Sequence, residues 1–112
     1  MILSSHLCLL TDGSLGRFPV ARVGLGSVLE SLELFPDGPE EIGGMVFRGG
    51  VMVCGLPDGV ASLTFSGRAD FAERMKPYAA AVGAGPVAVL TGCDLNTFVG
   101  SFAVWRPQQL KV

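Results

Sequence analysis

The sequence has few of the residues that catalysis requires. Only 16% of its 112 residues are charged, and His6 is the single histidine. A Ser/His/Asp or Cys/His arrangement would depend entirely on His6, which no motif surrounds, and the chain contains neither a GxSxG elbow nor a GxxxxGK[ST] phosphate loop. We therefore expect a protein that is not an enzyme, that uses no cofactor and that takes no small-molecule substrate.

Cysteine is also scarce and widely spaced. Cys8, Cys54 and Cys93 form no CxxC or Cys/His pattern, so neither a metal site nor a disulfide framework is indicated, and buried thiols in a reducing compartment are expected. The apolar stretch MILSSHLCLL has no basic residue before it and is too short to cross a bilayer. These features predict a cytoplasmic protein with no membrane contact.

Apolar residues and glycine are abundant. Hydrophobic residues make up 49% of the chain and glycine occurs 16 times, which predicts one domain over residues 1–112 with a single core and many turns or bulged strands. The net charge of −2 argues against a surface devoted to nucleic acid, although it leaves room for a local cationic stripe.

Extended segments dominate the first two thirds of the chain. Residues 27–35, SVLESLELF, lie between turn signals and are of strand length, although a short helix also fits their pattern. Residues 36–44 predict an exposed loop, and residues 51–65 predict a hairpin around the turn sequence LPDG. The last residues, 106–112, predict a trailing end.

The hydrophobic period changes between residues 68 and 85. Phe71, Met75, Tyr78 and Val82 fall on one helical face, and Pro77 is expected to kink or split that helix. Two apolar segments typical of strands follow. The predicted fold is therefore mainly β with one helix, and a helix between strands 3 and 4 is the layout of a five-stranded OB-like barrel, although other small α+β folds also fit.

Two separated stretches of the sequence resemble the bacterial single-stranded DNA-binding protein family. The first is GSLGRFPVARVGLGSVLESLEL, which is similar to the family's opening strand and turn. The second, ASLTFSGRADFAERMKPYAAAVGAGPVAVLTG, is similar to its third strand, helix and following strand. The positions of the first stretch that match are Gly13, Leu15, Gly16, Arg17, Pro19 and Arg22.

This resemblance implies an OB fold that binds single-stranded DNA in replication or recombination, as a homo-oligomer. Phe65 matches a base-stacking position, where a core phenylalanine is the alternative. The arginines that match the family's phosphate-contacting positions are Arg17, Arg22 and Arg68. Four more candidate DNA-binding residues are chosen only because their side chains are cationic or aromatic: Arg48, Phe98, Trp105 and Arg106.

The chain departs from the family pattern at the places that bind DNA most strongly. It has no tryptophan at the start of the third strand, and its CDLNTFVG segment contains no cation. The sequence therefore predicts weak or narrow binding, and it leaves open a protein-interaction or scaffold module without nucleic-acid binding.

Overall fold

The computed structural model describes residues 1–38 and 42–107, and in these it has ten β-strands, one α-helix and two short 3-10 turns. The helix, α1, is Arg68–Met75, and the 3-10 turns are Leu25–Ser27 and Lys76–Tyr78. The strands are β1 Ile2–Ser4, β2 Leu7–Leu9, β3 Leu15–Arg17, β4 Pro19–Val23, β5 Leu29–Leu34, β6 Met45–Phe47, β7 Val51–Cys54, β8 Ser62–Ser66, β9 Val87–Thr91 and β10 Val99–Trp105.

The strands form two sheets that share three bent segments of the chain. One sheet has the order β5-β4-β1-β6 and the other β3-β2-β7-β9-β10-β8. Each bent segment contributes one strand to each of the two sheets. The segments are β1/β2, β3/β4 and β6/β7, and they bend at residues 5–6, 18 and 48–50. Pairing is antiparallel throughout except between β1 and β6 and between β2 and β7, which run parallel.

The prediction of a mainly β fold with one helix is confirmed, but the finer layout differs from the expected five strands. Ten strands lie in two sheets, because bends divide three of the extended segments, two of them at residues with positive φ, Phe18 and Gly50; a closed five-stranded barrel is not evident. The predicted hairpin over residues 51–65 is wrong. β7 pairs with β2 and β9, whereas β8 pairs with β10, so the LPDG turn joins strands that are not neighbours.

Other boundaries agree with the sequence pattern. β5 occupies most of the strand predicted at 27–35, and residues 36–38 and 42–44 of the predicted loop lie outside the strands. Residues 39–41 of that loop, and residues 108–112 of the predicted trailing end, fall outside the described residues. The helix ends at Met75 and a 3-10 turn containing Pro77 follows, as expected for a proline without an amide donor.

The six-stranded sheet is covered on both faces. One face packs on the four-stranded sheet, and every second residue of each strand points into the layer between the two sheets. This layer includes Cys8, Met52 and Val89 of the larger sheet and Leu3 and Leu29 of the smaller one. The other face packs under α1 in a second cluster, which contains the buried residues Leu9, Val51, Val53, Leu56, Phe65, Phe71, Met75, Ala88, Leu90, Phe98 and Phe102.

The helix also protects the outer edge of β8. One guanidinium nitrogen of Arg74 donates to the Thr64 carbonyl at 2.6 Å, and the Ser66 amide donates to Asp70 Oδ2 at 3.0 Å. Asp70 and Arg74 themselves form an ion pair at 3.3 Å. Because an unpaired strand edge favours pairing with another chain, these two side chains block the most direct route to edge-to-edge association at β8.

Candidate functional site

An open cleft lies between the β2–β3 edge of the six-stranded sheet and the loop before β10. Its volume is about 440 Å³. The floor is apolar and is formed by Leu7, Leu15 and Leu95. The rim is polar or aromatic and consists of His6, Arg17, Phe18, Arg68 and Asn96.

One wall of the cleft presents Arg17 beside Phe18. Arg17 is exposed at the end of β3, and its guanidinium carbon lies 5.7 Å from the centre of the Phe18 ring. Phe18 stands at the bend between β3 and β4 with φ of +48°, and its amide donates to the His6 carbonyl at 2.9 Å. The bend therefore brings a cation and a partly exposed ring to the same rim.

Arg68, which also lines the cleft, repeats this combination of arginine and phenylalanine. Arg68, the first residue of α1, is exposed and lies 5.2 Å from the centre of the Phe98 ring. Phe98 is fully buried, has φ of +57°, and donates its amide to the Asp94 carbonyl at 2.9 Å. A cation over an aromatic face contributes about 0.5–1 kcal/mol at an exposed site, so each ring helps to hold its arginine in place.

The two phenylalanines that support the arginines adopt backbone conformations that are rare for residues with a side chain. Non-glycine residues with positive φ in the described chain are Phe18, Ser27 and Phe98. Such conformations cost about 1–3 kcal/mol each and concentrate at functional sites. Two of the three lie under the cleft arginines, which distinguishes this cleft from an ordinary surface depression.

His6 closes one end of the cleft and is fixed by the turn between β6 and β7. Its Nδ1 accepts a hydrogen bond from the Gly50 amide at 3.2 Å. Its ring packs edge-on against Phe47 with 5.1 Å between the centres. A neutral His6 with Nδ1 as the acceptor carries its proton on Nε2, where it remains a hydrogen-bond donor.

The cleft is locally cationic although the chain is acidic. Among residues 1–38 and 42–107, the ion pair between Arg74 and Asp70 is the only one, so no carboxylate of that part of the chain neutralises Arg17 or Arg68. Two acids lie two positions from a rim residue: Asp70 pairs with Arg74, and Asp94 Oδ1 accepts the Asn96 amide at 2.7 Å. An anionic ligand would therefore meet two arginines that form no ion pair with a carboxylate of the described residues.

Of the eight residues predicted from sequence as a binding site, Arg17 and Arg68 are the two that line the cleft. Arg22 is exposed on β4, away from the cleft. Arg106 donates to the carbonyls of Pro57 and Val60 at 2.8 and 3.0 Å, which gives it a structural role. Arg48 is exposed and lies 4.9 Å from the centre of the half-buried Trp105 ring, apart from the cleft lining.

The two predicted stacking phenylalanines are core residues. Phe65 is 3% exposed and Phe98 is fully buried, and both pack edge-on against Phe71. Neither ring face is open to a base in this structure. The rim residues that sequence reasoning did not select are His6, Phe18 and Asn96; for Phe18, the position beside Arg17 in the GRFP turn was the available signal.

Comparisons with protein-family models, with curated proteins and with solved structures found no match. Across the described ranges, no cluster of three or more His, Cys, Asp or Glu side chains is placed to hold a metal ion. In the same part of the chain, no helix combines the length and apolar character that crossing a bilayer requires.

Proposed function

We propose that this protein is a non-catalytic, cytoplasmic module that binds short single-stranded DNA through the cleft. The observation that carries this proposal is the presence of Arg17 and Arg68 in one cleft, each over a phenylalanine in a left-handed conformation. Arginine meets phosphate oxygens in a two-pronged geometry, and the partly exposed ring of Phe18 offers a face to a base.

The charge distribution sets the expected strength of binding. Two arginines neutralise two phosphates, and for single strands the slope of log affinity against log salt is about −0.7 per phosphate, which gives about −1.4 here. The net charge of −2 adds weak repulsion outside the cleft. Binding should therefore be weak, should cover few nucleotides and should weaken as the salt concentration rises.

Fluorescence anisotropy of a labelled oligothymidylate of about 10 nucleotides, a length within the range of known single-strand sites, tests the proposal. We expect the wild-type chain to bind at low salt and the double variant R17A/R68A to lose binding. The variant R22A removes an exposed arginine outside the cleft and should bind like the wild type. An absence of binding at low salt, or equal losses in R22A and R17A/R68A, would contradict the proposal.

The OB-like architecture and membership of the single-stranded DNA-binding family remain part of this proposal. In their support, the first extended segment is bent and contributes β1 and β2 to both sheets, and α1 directly follows a strand and precedes the β9–β10 pair. The parallel pairing of the first segment with β6 and β7 is a departure from an up-and-down order.

A protein-interaction role is the second candidate, and an exposed apolar patch favours it. The patch consists of Leu25, Val28 and Val82, which are 80%, 38% and 67% exposed. Hydrogen bonds from Gly83 to Leu29 and from Leu29 to Ala84, at 2.7 and 2.8 Å, hold the two loops that carry it side by side. Exposed apolar surface of this kind marks interaction sites.

We place the expected homo-oligomer contact on this same patch. Sedimentation velocity should show an associated species for the wild type and a smaller one for L25S/V82S. A wild-type monomer at high concentration would contradict the homo-oligomer. A nuclease-insensitive protein partner captured by a chain that fails to bind oligothymidylate would favour the interaction role over DNA binding.

A further inference from the structure

The cleft has the dimensions of a small-molecule site and is short for a groove that follows a strand. Its volume of about 440 Å³ lies in the range of about 300–1,000 Å³ found for small-ligand pockets. Proteins that hold several successive bases line a basic groove with several exposed aromatic rings. Here Phe18 is the one phenylalanine of the lining, since Phe65 and Phe98 are buried in the core.

We propose that the cleft receives one nucleotide as a unit, with the base on the apolar floor and its phosphate between the two arginines. This inference rests on the proposed function because it uses the same Arg17 and Arg68. It goes further by naming the ligand class: a nucleoside monophosphate, free or at one position of a strand, is sufficient to fill the site.

Asn96 is placed to read the base. Its backbone amide is bonded to Asp94 Oδ1, which fixes the turn, while its exposed side-chain amide makes no hydrogen bond within the described residues. A carboxamide presents one donor group and one acceptor side by side. That pair is complementary to a donor–acceptor edge of a base, such as N6 and N7 of adenine or N4 and N3 of cytosine, so Asn96 is expected to strengthen the binding of either nucleotide.

The two arginines of the cleft determine where the phosphate of the ligand binds. Arg17 and Arg68 line the cleft from β3 and from the start of α1, and each is supported by a ring at 5.7 or 5.2 Å. A phosphate between them can accept hydrogen bonds from both guanidinium groups. The apolar floor of Leu7, Leu15 and Leu95 then lies beneath the base and excludes water from one of its faces.

Isothermal titration calorimetry with adenosine monophosphate, cytidine monophosphate, adenosine and inorganic phosphate tests the proposal on the full chain. We expect both monophosphates to bind, and adenosine to bind about tenfold or more weakly than adenosine monophosphate, because hydrogen bonds between charged groups are lost. N96A should weaken both monophosphates by about 5- to 150-fold, as for a lost bidentate base contact, and leave inorganic phosphate nearly unchanged.

The control variant R22A should bind all four probes like the wild type, and circular dichroism of N96A should match that of the wild type. If oligothymidylate binds but neither monophosphate does, the single-nucleotide site is refuted while strand binding stands. If the monophosphates bind and no strand does, the nucleotide site is supported and strand binding is refuted. Unchanged binding of both monophosphates in N96A, or an equal loss of inorganic phosphate, would refute the contact between Asn96 and the base.

Discussion

Replacing Gly50 by alanine tests the bend that builds both sheets and holds His6 at the cleft. Gly50 has φ of +143°, and a Cβ there would overlap the carbonyl oxygen of Leu90 and lie 2.8 Å from its carbonyl carbon. Both contacts are with backbone of β9, which cannot turn aside as a flexible side chain can. The substitution must therefore separate β7 from β9 or distort the turn that donates an amide to His6.

The expected cost has two parts. An unfavourable positive φ costs about 1–2 kcal/mol for a residue with a Cβ. Forcing a methyl group into occupied space costs a further 1–3 kcal/mol or so. The free energy of unfolding should therefore fall by about 2–5 kcal/mol, which is a large fraction of the roughly 5–15 kcal/mol available to a typical domain.

Gly92→Ala is the matched control, because Gly92 has φ of +87° but a Cβ there meets nothing within 4 Å. It should lose only the conformational part, about 1–2 kcal/mol. Urea unfolding followed by circular dichroism and by the fluorescence of Trp105, the single tryptophan, compares the two variants. Equal midpoints for G50A and G92A would refute the close approach of β7 to β9; a G50A chain that is unfolded without urea would agree with it.

Three further outcomes follow from the core, the β8 edge and the buried thiols. Phe71→Ala should lower the free energy of unfolding by about 3–5 kcal/mol in urea titrations, because its ring lies 5.0 Å from Phe65 and 4.8 Å from Phe98; a loss below about 1 kcal/mol would be inconsistent with that packing. Hydrogen bonds from the Ser66 amide and from Arg74 lower the pKa of Asp70, so its protection of the β8 edge is present above the ordinary carboxyl pKa and is lost as the pH falls through the lowered value. Asp70→Ala, which removes the acceptor of the Ser66 amide, should increase self-association at neutral pH in sedimentation velocity, and unchanged sedimentation would count against edge protection. Burial raises the pKa of Cys8 from 9.0 to about 11, so stability should decline as the pH rises through that interval; Cys8→Ala should flatten the decline, and an identical pH profile would contradict the assignment.

Several structural features follow from local sequence. The change of hydrophobic period after residue 67 predicts the helix, and Pro77 predicts that it does not continue beyond its first turns; both depend on neighbours within a few residues. β5 likewise follows from its alternation between two turn signals. The arginine of the GRFP turn is recognisable as a candidate ligand-binding residue because a turn places it at the surface.

Strand pairing and the cleft were decided by the tertiary structure. The continuous apolar runs of β7 and β9 are typical of strands buried on both faces, but only the structure shows what covers them: one face meets the second sheet and the other meets α1. The burial of Phe65 and Phe98 is a result of that layering. Side chains along a strand alternate between its two faces, and this alternation is the same whether an aromatic ring stacks on a base or packs in a core.

The cleft combines residues 6, 7, 15, 17, 18, 68, 95 and 96, which are up to 90 positions apart in the chain. Its members meet because the β2–β3 edge, the start of α1 and the loop before β10 converge at one end of the six-stranded sheet. The sequence by itself determined the elements and their polarity, since these depend on short-range sterics and periodicity. Which arginines share a site depends on long-range strand order, and only the packed structure specifies that order.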